Sequence, residues 1–416
     1  MSADYRKGGK KNQKRGRRKQ RGQPSHVPTA GDSVTVNEYS EQWLKRGFPW
    51  VYNKEVLGRG GRFLPGQMVN IRTRKGDLLG VGIWDEGKIE VRRFRKDAGL
   101  IDSALLSQRI HEAKSLRTLP AETTAWRLVH GENDGLPGIR VDIWGEVAVI
   151  SLDSPSLQCL VDPILDVLWD QLSLSAAWLH WRMSDDVENP VQSRLIRGSA
   201  PNEIEVLELG LRYLVRPFTG HDIGLFCDMR PLRTWMSDHW RDRTVLNTFC
   251  YSGAFSVNAA AHGARKVVSV DLGAPAIEWV KTNFQRNGLD LTPHEFLAED
   301  TFKVLDRYRR KGEMFDVVIA DPPSYSTGPS GTWSVSKDLK RLIAACLRVL
   351  SPGGWLIAAT NQGSMSPRDF LNHIQDGAVR AGRELQLIHQ GSPPVDFPAA
   401  LSFPESRYLK CWVLRG

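Results

Sequence analysis

From residue 231 onward, the chain alternates short apolar runs with amphipathic segments in a regular order. The apolar runs predict buried strands, and the segments between them have the spacing of helices. Predicted strands lie at 244–249, 266–270, 295–297, 315–320, 355–359, 384–389 and 408–414, and predicted helices at 254–262, 275–287, 301–311, 337–350 and 367–381. Alternation of this kind predicts an α/β fold with a doubly wound, Rossmann-like parallel sheet. Its ligand is expected beyond the carboxyl ends of the strands, near the switch point.

The sequence before residue 207 predicts two smaller domains. Short alternating strands and Gly-containing turns over 47–94 predict a small β-barrel or open sheet, followed by a helix over 102–119. Further strands and one helix, 156–172, predict a small α+β domain, in which the Gly-rich loop 130–138 is expected to be a tight turn. The predicted division is therefore a tail at 1–37, a first domain with its linker helix at 38–119, a central domain at 120–206 and the doubly wound domain at 207–416.

The positive charge of the chain is concentrated in its first residues. Between Met1 and Gly22 there are ten Lys and Arg residues, from Arg6 to Arg21, against one acid, Asp4, which equals the net charge of +9 for the whole chain. A segment so charged and so poor in apolar residues is expected to be disordered. Because a flexible polycation binds polyanions by releasing their counterions, nucleic acid is the predicted partner. A solubilising tail with no dedicated partner is the alternative.

Other features of the composition exclude whole classes of protein. No apolar run approaches the roughly 18 residues that a membrane span needs, so no membrane association is predicted. The cysteines, Cys159, Cys227, Cys250, Cys346 and Cys411, are too widely spaced for a CxxC-type zinc or redox motif, and no metal site is predicted. An odd number of thiols without an apolar leader predicts reduced cysteines and a cytoplasmic location. The sequence leaves open whether the chain forms a homodimer.

Four predicted strand ends carry the residues expected to form a cofactor site. The first is the turn from Asn247 to Gly253, whose small residues let a ligand approach the backbone. Asp271 closes the next strand about 20 residues later, where a carboxylate can accept hydrogen bonds from both hydroxyls of a ribose. Asp300 closes the third strand, and either holds an adenine amino group or caps the helix that begins at Thr301.

These acids fit a nicotinamide dinucleotide or S-adenosylmethionine, and the glycines favour the second. A pyrophosphate needs a GxGxxG turn, whereas here Gly253 is followed by no glycine until Gly263. A nicotinamide-dependent oxidoreductase is therefore disfavoured. The fourth strand ends in Asp321-Pro-Pro-Ser-Tyr325, an acid, a rigid backbone and an aromatic ring, which suits methyl transfer to a base.

The residue types in this motif match the needs of such a reaction. A sulfonium methyl is already activated, so the protein mainly has to place a nucleophile in line behind it. Pro322 would fix the backbone, Tyr325 would stack on the base, and Asp321 would orient an amino group. In the alternative interpretation, Asp321 only caps the following loop.

In combination, these motifs resemble those of the class I S-adenosylmethionine-dependent methyltransferases, and more narrowly of the bacterial large-subunit ribosomal RNA methyltransferases with an N-terminal PUA domain. The resemblance covers nearly all of the chain after the tail. It is carried by the segments Gly47-Phe-Pro-Trp-Val-Tyr52, 131–138, Gly224-Leu-Phe-Cys-Asp-Met-Arg230, 247–254 and 321–325. It implies a PUA-like RNA-binding domain, ribosomal RNA as partner and a cofactor site lined by Phe249, Asp271, Asp300 and Asp321, with Asn247, Tyr251 and Gly253 in the cofactor loop and Phe226 and Asp228 closing over it.

The sequence departs from one part of that family. Members that make 5-methylcytosine carry a Cys after the fifth strand, because C5 is a poor nucleophile until a thiolate adds to C6. Here Asn361 stands at that place, in a Thr-Asn-Gln sequence similar to that of relatives that methylate guanine at N7. The prediction is methylation of a purine nitrogen in large-subunit rRNA, with Asp321, Pro322, Tyr325 and Asn361 at the acceptor site. Alternatives are a 5-methylcytosine enzyme with a non-standard cysteine, and a non-catalytic RNA-binding or ribosome assembly factor.

Overall fold

The structure is a computed structural model that describes residues 28–29, 31–182, 191–220, 223–328 and 331–416. The predicted tail from Arg6 to Arg21 lies outside the described residues. No helix in the described part of the chain is both long enough and apolar enough to cross a lipid bilayer.

The N-terminal domain is a six-stranded sheet. Its elements are β1 (Ser33–Val36), α1 (Glu38–Lys45), β2 (Trp50–Tyr52), β3 (Val56–Arg59), β4 (Met68–Arg72), β5 (Leu78–Trp84) and β6 (Ile89–Arg95). The strand order is β2-β6-β5-β4-β1-β3, and only β1 and β4 are parallel. The predicted tail boundary at residue 37 is wrong, because Val34 and Val36 of β1 are buried in the core of this sheet.

The central domain packs two helices on a five-stranded sheet. Its elements are α2 (Ser103–Ser115), β7 (Ala125–His130), β8 (Ile139–Trp144), β9 (Val147–Leu152), α3 (Val161–Gln171), β10 (Ala176–Arg182) and β11 (Val191–Gly198). The strand order is β11-β10-β9-β8-β7. The predicted helix 156–172 starts instead as a 3-10 helix, Pro155–Leu160, and becomes α-helical at Val161. Loop 130–138 is a turn, as predicted, with Gly135 and Gly138 at positive φ.

A hairpin and a large α/β sheet complete the chain. Their elements are β12 (Ile204–Glu208), β13 (Leu211–Val215), α4 (Arg230–Ser237), β14 (Thr244–Thr248), α5 (Ala254–Ala261), β15 (Lys266–Asp271), α6 (Ala274–Arg286), β16 (Glu295–Ala298), α7 (Thr301–Lys311), β17 (Phe315–Ala320), β18 (Tyr325–Gly328), β19 (Gly331–Ser334), α8 (Val335–Leu347), β20 (Leu350–Thr360), α9 (Pro367–Ala381), β21 (Gln386–Gly391) and β22 (Lys410–Arg415). The predicted boundary at 206/207 is wrong because it cuts β12, which pairs along its whole length with β13.

The seven-stranded sheet confirms the predicted doubly wound architecture. Its order is β16-β15-β14-β17-β20-β22-β21, with β14, β15, β16, β17 and β20 parallel and β22 antiparallel to both of its neighbours. The chain reverses its winding direction at β14, which lies between β15 and β17. Helices α7, α8 and α9 share one apolar core against the sheet, and α4 and α5 share another. The carboxyl ends of the central strands therefore meet at one edge, beside the switch point.

Candidate active site

A cavity of about 1070 Å³ opens at the carboxyl edge of the seven-stranded sheet. This exceeds the roughly 300–1,000 Å³ of most ligand pockets, so it has room for a cofactor and part of a second substrate. Its lining includes nearly every residue expected from the sequence, namely Phe226, Asp228, Asn247, Phe249, Tyr251, Asp271, Asp300, Asp321, Pro322, Tyr325 and Asn361. The structure thus brings together side chains that are up to 135 positions apart in the sequence, from Phe226 to Asn361.

The turn after β14 has a strained backbone. Phe249 and Tyr251 have φ angles of +55° and +49°, in the left-handed region that residues other than glycine rarely adopt. The turn is fixed by the backbone N–H of Cys250, which donates to the carbonyl of Val270 at 2.9 Å. This geometry places the Tyr251 ring 5.4 Å from that of Phe226 at the cavity wall. Strain of this kind is typical of ligand-binding turns that the surrounding structure holds in place.

Asp271 has the geometry of a strand-end acid at a nucleoside site. Its Oδ2 accepts the backbone N–H of Tyr251 and its Oδ1 accepts that of Gly273, both at 3.0 Å. These two bonds hold the carboxylate at the cavity wall and leave further lone pairs for a ligand. Asn247 is buried behind the turn, where its Nδ2 donates to the Ser256 hydroxyl at 2.9 Å.

Gly253 does not line the cavity, contrary to the cofactor-contact prediction. It has a φ of +82° at the start of α5, and a Cβ there would lie 2.6 Å from a methyl of Val280. Its role in the structure is therefore to let the turn pack closely against α6. The glycine is needed for the shape of the site rather than for contact with a ligand.

Asp300 caps α7, which was one of the two alternatives for this residue. Its Oδ1 accepts the backbone N–H of Lys303 at 3.1 Å. The residue also lines the cavity. Capping occupies one oxygen and does not exclude a contact with the cofactor through the other.

Asp321 and Asp228 form a pair of carboxyls at the cavity floor. Burial, reinforced by the nearby Asp228 carboxyl, raises the pKa of Asp321 to about 7, against a lowering effect of Arg233. Burial also raises the pKa of Asp228, whose Oδ2 accepts the Tyr408 hydroxyl at 2.8 Å. Arg233 is fully buried and forms two hydrogen bonds to Glu208. The floor can therefore gain or lose a proton near neutral pH, and a bound cation would favour its loss.

The segment after Asp321 forms one side of the cavity mouth. The Tyr325 side chain is 64% exposed at the start of the β18–β19 hairpin. The Ser324 hydroxyl donates to Asn361 Oδ1 at 2.7 Å, which joins this segment to the loop after β20. The exposed Tyr325 ring therefore lies beside the half-buried Asp321 at the cavity mouth.

Comparison with known proteins identifies the family. Residues 172–407 match the model of the S-adenosylmethionine-dependent methyltransferases, and residues 34–96 match that of a PUA-like domain. The chain belongs to this methyltransferase family. The family match begins within the central domain, at residue 172, and the N-terminal sheet is the predicted PUA-like domain.

Individual relatives cover nearly the whole methyltransferase. A protein of Klebsiella pneumoniae (strain 342) named Ribosomal RNA large subunit methyltransferase I is 31% identical over 384 residues, which are 90% of this chain and 96% of that one. The protein of the same name from Salmonella newport is 32% identical over 392 residues, covering 92% and 97%.

Solved structures show the same architecture over a similar length. A methyltransferase solved in complex with SAH has a TM-score of 0.83 at 26% identity, and covers 92% of this chain and 100% of that one. A protein from Streptococcus mutans described as SAM-dependent has a TM-score of 0.81, with the same identity and coverage. The predicted enzyme class, fold and cofactor are therefore confirmed.

The residues at the cavity fit S-adenosylmethionine, the cofactor of this methyltransferase family. Asp271 is held by two backbone N–H groups at the place where a ribose diol needs an acceptor. Asp228 and Asp321 supply carboxyls on which a cationic ligand would stabilise the charged form.

The cysteines of the methyltransferase are poorly suited to nucleophilic attack. Cys250 lines the cavity, but burial and the nearby Asp271 raise its thiol pKa well above the usual value. Cys411 lies close to Asp321, and burial together with that carboxyl raises its pKa as well. Cys227 is buried and directs its thiol to the carbonyl of Ala125. A nucleophilic thiolate needs the opposite environment.

Several cavity residues of the methyltransferase were not predicted from its sequence. Phe302, Lys303, Trp333 and Arg341 line the side formed by α7, β19 and α8. Their positions depend on packing between elements that are distant in the sequence, so no local motif marks them. Tyr408 was predicted only as the first residue of the strand at 408–414, and the structure places its hydroxyl on the carboxyl of Asp228.

Proposed function

We propose that this enzyme methylates a base of large-subunit ribosomal RNA. The observation that carries the proposal is the arrangement at the cavity mouth, where an exposed Tyr325 stands beside the half-buried Asp321. Relatives named as large-subunit rRNA methyltransferases, aligned over about nine tenths of the chain, support the same substrate. The PUA-like domain adds a second module of a type that accompanies RNA substrates.

The residues of the protein would bind the cofactor, orient it and stabilise its positive charge. Asp271 would hold the ribose of S-adenosylmethionine, Asp300 its adenine, and Phe226 and Tyr251 would close over it. When bound, the cofactor supplies an activated methyl group on sulfur. Asp321 and Asp228 would stabilise the positive charge beside that methyl group.

The acceptor base would be fixed by stacking and by hydrogen bonds. Tyr325 would stack on its face, and Pro322 would keep the segment rigid, so that the attacking atom lies in line with the methyl group. Asp321 would accept a hydrogen bond from an exocyclic amino group, and its ionised form would be the stronger acceptor. Asn361, held by Ser324, would present its amide to the polar edge of the base.

The acceptor atom we favour is a purine nitrogen such as guanine N7. Its lone pair needs no covalent activation, and the described cysteines near the cavity have raised thiol pKa values. Methylation of cytosine C5 is the second candidate, since Cys250 does line the cavity. That reaction would require the bound RNA to lower the pKa of the Cys250 thiol.

The proposal also covers the other RNA contacts of the enzyme and its location. The basic segment from Arg6 to Arg21 and the PUA-like domain would both contact ribosomal RNA, and the enzyme would act in the cytoplasm. Deleting Met1 to Gly22 should reduce the salt dependence of RNA binding. An unchanged dependence of affinity on salt would show that the tail is not part of the binding surface.

The sequence left the oligomeric state open, and sedimentation of the purified protein distinguishes a monomer from a homodimer.

The direct test is to identify the methylated nucleoside. Unmodified large-subunit rRNA is incubated with the enzyme and labelled S-adenosylmethionine, and the product is digested and identified by mass. A 7-methylguanosine product is expected. A 5-methylcytidine product would overturn the purine assignment, and no incorporation would overturn the proposed substrate.

A substitution at the cavity floor tests the assigned acid. Asp321→Ala should abolish transfer, because it removes the carboxyl proposed to act on the cofactor and the base. The unfolding temperature should stay near that of the wild type, since this carboxyl is only partly buried. Retained activity would show that another acid performs this role. Calorimetry with S-adenosylmethionine on the wild type separates this enzyme from a non-catalytic RNA-binding or assembly factor, which would not bind the cofactor.

A further inference from the structure

One side of the cavity mouth carries two cations and two aromatic rings. We call this side the α7–α8 rim, and it consists of Phe302, Lys303, Trp333 and Arg341. The strand ends and the floor of the same cavity carry carboxyls instead, at Asp228, Asp271, Asp300 and Asp321. Asp306 and Asp338 also line the cavity on this side, so the interior is acidic and the edge combines two aromatic rings with two cations and two acids.

The α7–α8 rim is a packed surface rather than a set of separate side chains. The guanidinium of Arg341 lies 4.2 Å from the ring centroid of Phe302. The ring of Phe302 lies 6.0 Å from that of Trp333. Trp333 in turn donates its indole N–H to the carbonyl of Pro323 at 2.8 Å. This chain of contacts joins the rim to the segment that carries the proposed acceptor-site residues.

The charges of the rim are available to a ligand. Among the residues that the structure describes, no ion pair joins Lys303 or Arg341 to a carboxylate, and both side chains are exposed. The acids nearest in sequence have other partners. Asp338 accepts the backbone N–H of Ser334 at 3.1 Å, and Asp306 pairs with two arginines further along α7.

The two substrates differ in charge, and each matches a different part of the cavity. S-adenosylmethionine carries a sulfonium and an ammonium against one carboxylate, so its net charge is positive and suits the acidic interior. An RNA strand carries one negative charge per nucleotide, and phosphate contacts from Arg and Lys are what position a nucleic acid on a protein. An arginine stacked on an aromatic ring keeps its N–H edge free for such a contact.

We propose that the α7–α8 rim binds the RNA backbone beside the target nucleotide. Arg341 and Lys303 contact phosphates, and Trp333 stacks on a base next to the one that enters the cavity. This inference rests on the proposed function, because it assigns a second contact to the same RNA substrate. In this assignment, Arg341, Lys303 and Trp333 contribute to the affinity for RNA, and substituting them leaves the cofactor site unchanged.

The experiment compares charge reversal at two exposed arginines in the full-length protein. Arg341→Glu changes the rim, and Arg241→Glu makes the same change of net charge in the loop before β14, at the opposite edge of the sheet. Binding to a single-stranded RNA oligonucleotide is measured at several salt concentrations, and binding to S-adenosylmethionine is measured by calorimetry. Methyl transfer to large-subunit rRNA is measured separately for each protein.

Arg341→Glu is expected to weaken RNA binding at least tenfold more than Arg241→Glu, as the loss of a charge-assisted phosphate contact would. It should also lower the salt slope more than the control does, while the affinity for S-adenosylmethionine stays within about twofold of the wild type. Equal effects of the two variants on RNA binding would overturn the inference, as would a loss of cofactor affinity in Arg341→Glu. Absence of rRNA methylation by the wild type would instead overturn the proposed function, whatever the binding series shows.

Discussion

At the scale of single residues, the two carboxyls at the cavity floor determine the electrostatics of the site. Asp321 and Asp228 each have a raised pKa because their partly buried surroundings desolvate the charged form, and the Asp228 carboxyl raises the pKa of Asp321 further. Two such groups resist ionising together, so a bound cation changes their proton content. The sequence predicted both residues, but only the structure shows that they act on one another.

Cofactor affinity should therefore depend on pH. Ionised Asp321 attracts the sulfonium and protonated Asp321 does not, so affinity should increase several-fold as the pH rises from 6 to 8, through the pKa of about 7. Calorimetry should show a stronger dependence for S-adenosylmethionine than for S-adenosylhomocysteine, which lacks the sulfonium charge but keeps the same amino group. Asp321→Asn should flatten this difference. Equal dependences for the two ligands would contradict the assignment.

The Tyr408 hydroxyl should tune the same equilibrium. Its hydrogen bond to Asp228 favours the ionised carboxyl, so Tyr408→Phe should raise the pKa of Asp228 and shift the pH profile of cofactor binding to higher pH. Tyr308→Phe is the matched control, because Tyr308 donates to Glu295 at 2.7 Å away from the cavity. A profile unchanged by Tyr408→Phe would show that this hydrogen bond is structural only.

At the scale of elements, the turn from β14 into α5 shapes the cofactor wall. Two residues with positive φ precede Gly253, and the glycine itself packs on Val280 of α6. The turn can keep this conformation only while β15 and α6 support it from behind. Local strain and long-range packing therefore depend on each other here.

Gly253→Ala should cost more stability than an ordinary left-handed glycine. The φ of +82° alone costs about 1 kcal/mol, and the contact of 2.6 Å with Val280 adds to it, for a total of about 1–3 kcal/mol. Gly288→Ala is the control, since its φ is +65° but no atom lies within 4 Å of the new Cβ. Thermal unfolding should show the larger drop for Gly253→Ala, and a smaller drop in a Val280→Ala background. Equal drops for the two glycines would rule out the clash.

The sequence predicted those elements whose ends carry local signals. Helices α7 and α9 were predicted with the observed bounds, because Asp300 and Ser366 cap their starts and glycines at positive φ follow their ends. Strand β11 and the β18–β19 hairpin were missed, since their polar residues lack an apolar period. Helix α1, Glu38–Lys45, was missed because the predicted elements of the first domain begin only at residue 47.

At the scale of the whole molecule, the segment between β21 and β22 joins all three domains. The ring centroid of Phe403 lies 4.7 Å from that of Trp50 in the PUA-like domain. The backbone N–H of Ala400 donates to the side-chain Oδ1 of Asn133 in the central domain. Tyr408 then contacts Asp228 at the cavity. None of these contacts could be predicted from the sequence, because each joins residues more than 150 positions apart. The strand-end acids were predictable because topology alone brings them together.

Asp396 is the buried centre of this connection. Its Oδ1 accepts from Arg230 Nη1 at 2.8 Å, its Oδ2 accepts the backbone N–H of Arg127 at 3.0 Å, and it is fully buried. Asp396→Ala would leave the Arg230 guanidinium, itself 1% exposed, with Glu208 at 3.3 Å as its one charged partner among the residues that the structure describes. Removing one partner of a buried ion pair costs about 3–5 kcal/mol.

Such a loss should lower the unfolding temperature by roughly 6–20 °C, because each kcal/mol shifts it by roughly 2–4 °C in domains of this size. Asp376→Ala, an exposed acid on α9, is the control and should shift it by less than about 2 °C. Limited proteolysis should also cut the Asp396→Ala protein more readily between the central and methyltransferase domains, since Arg230 connects them through the carbonyl of Ala125. If Asp396→Ala behaved like the control, the Asp396–Arg230 ion pair would not contribute to holding the domains together.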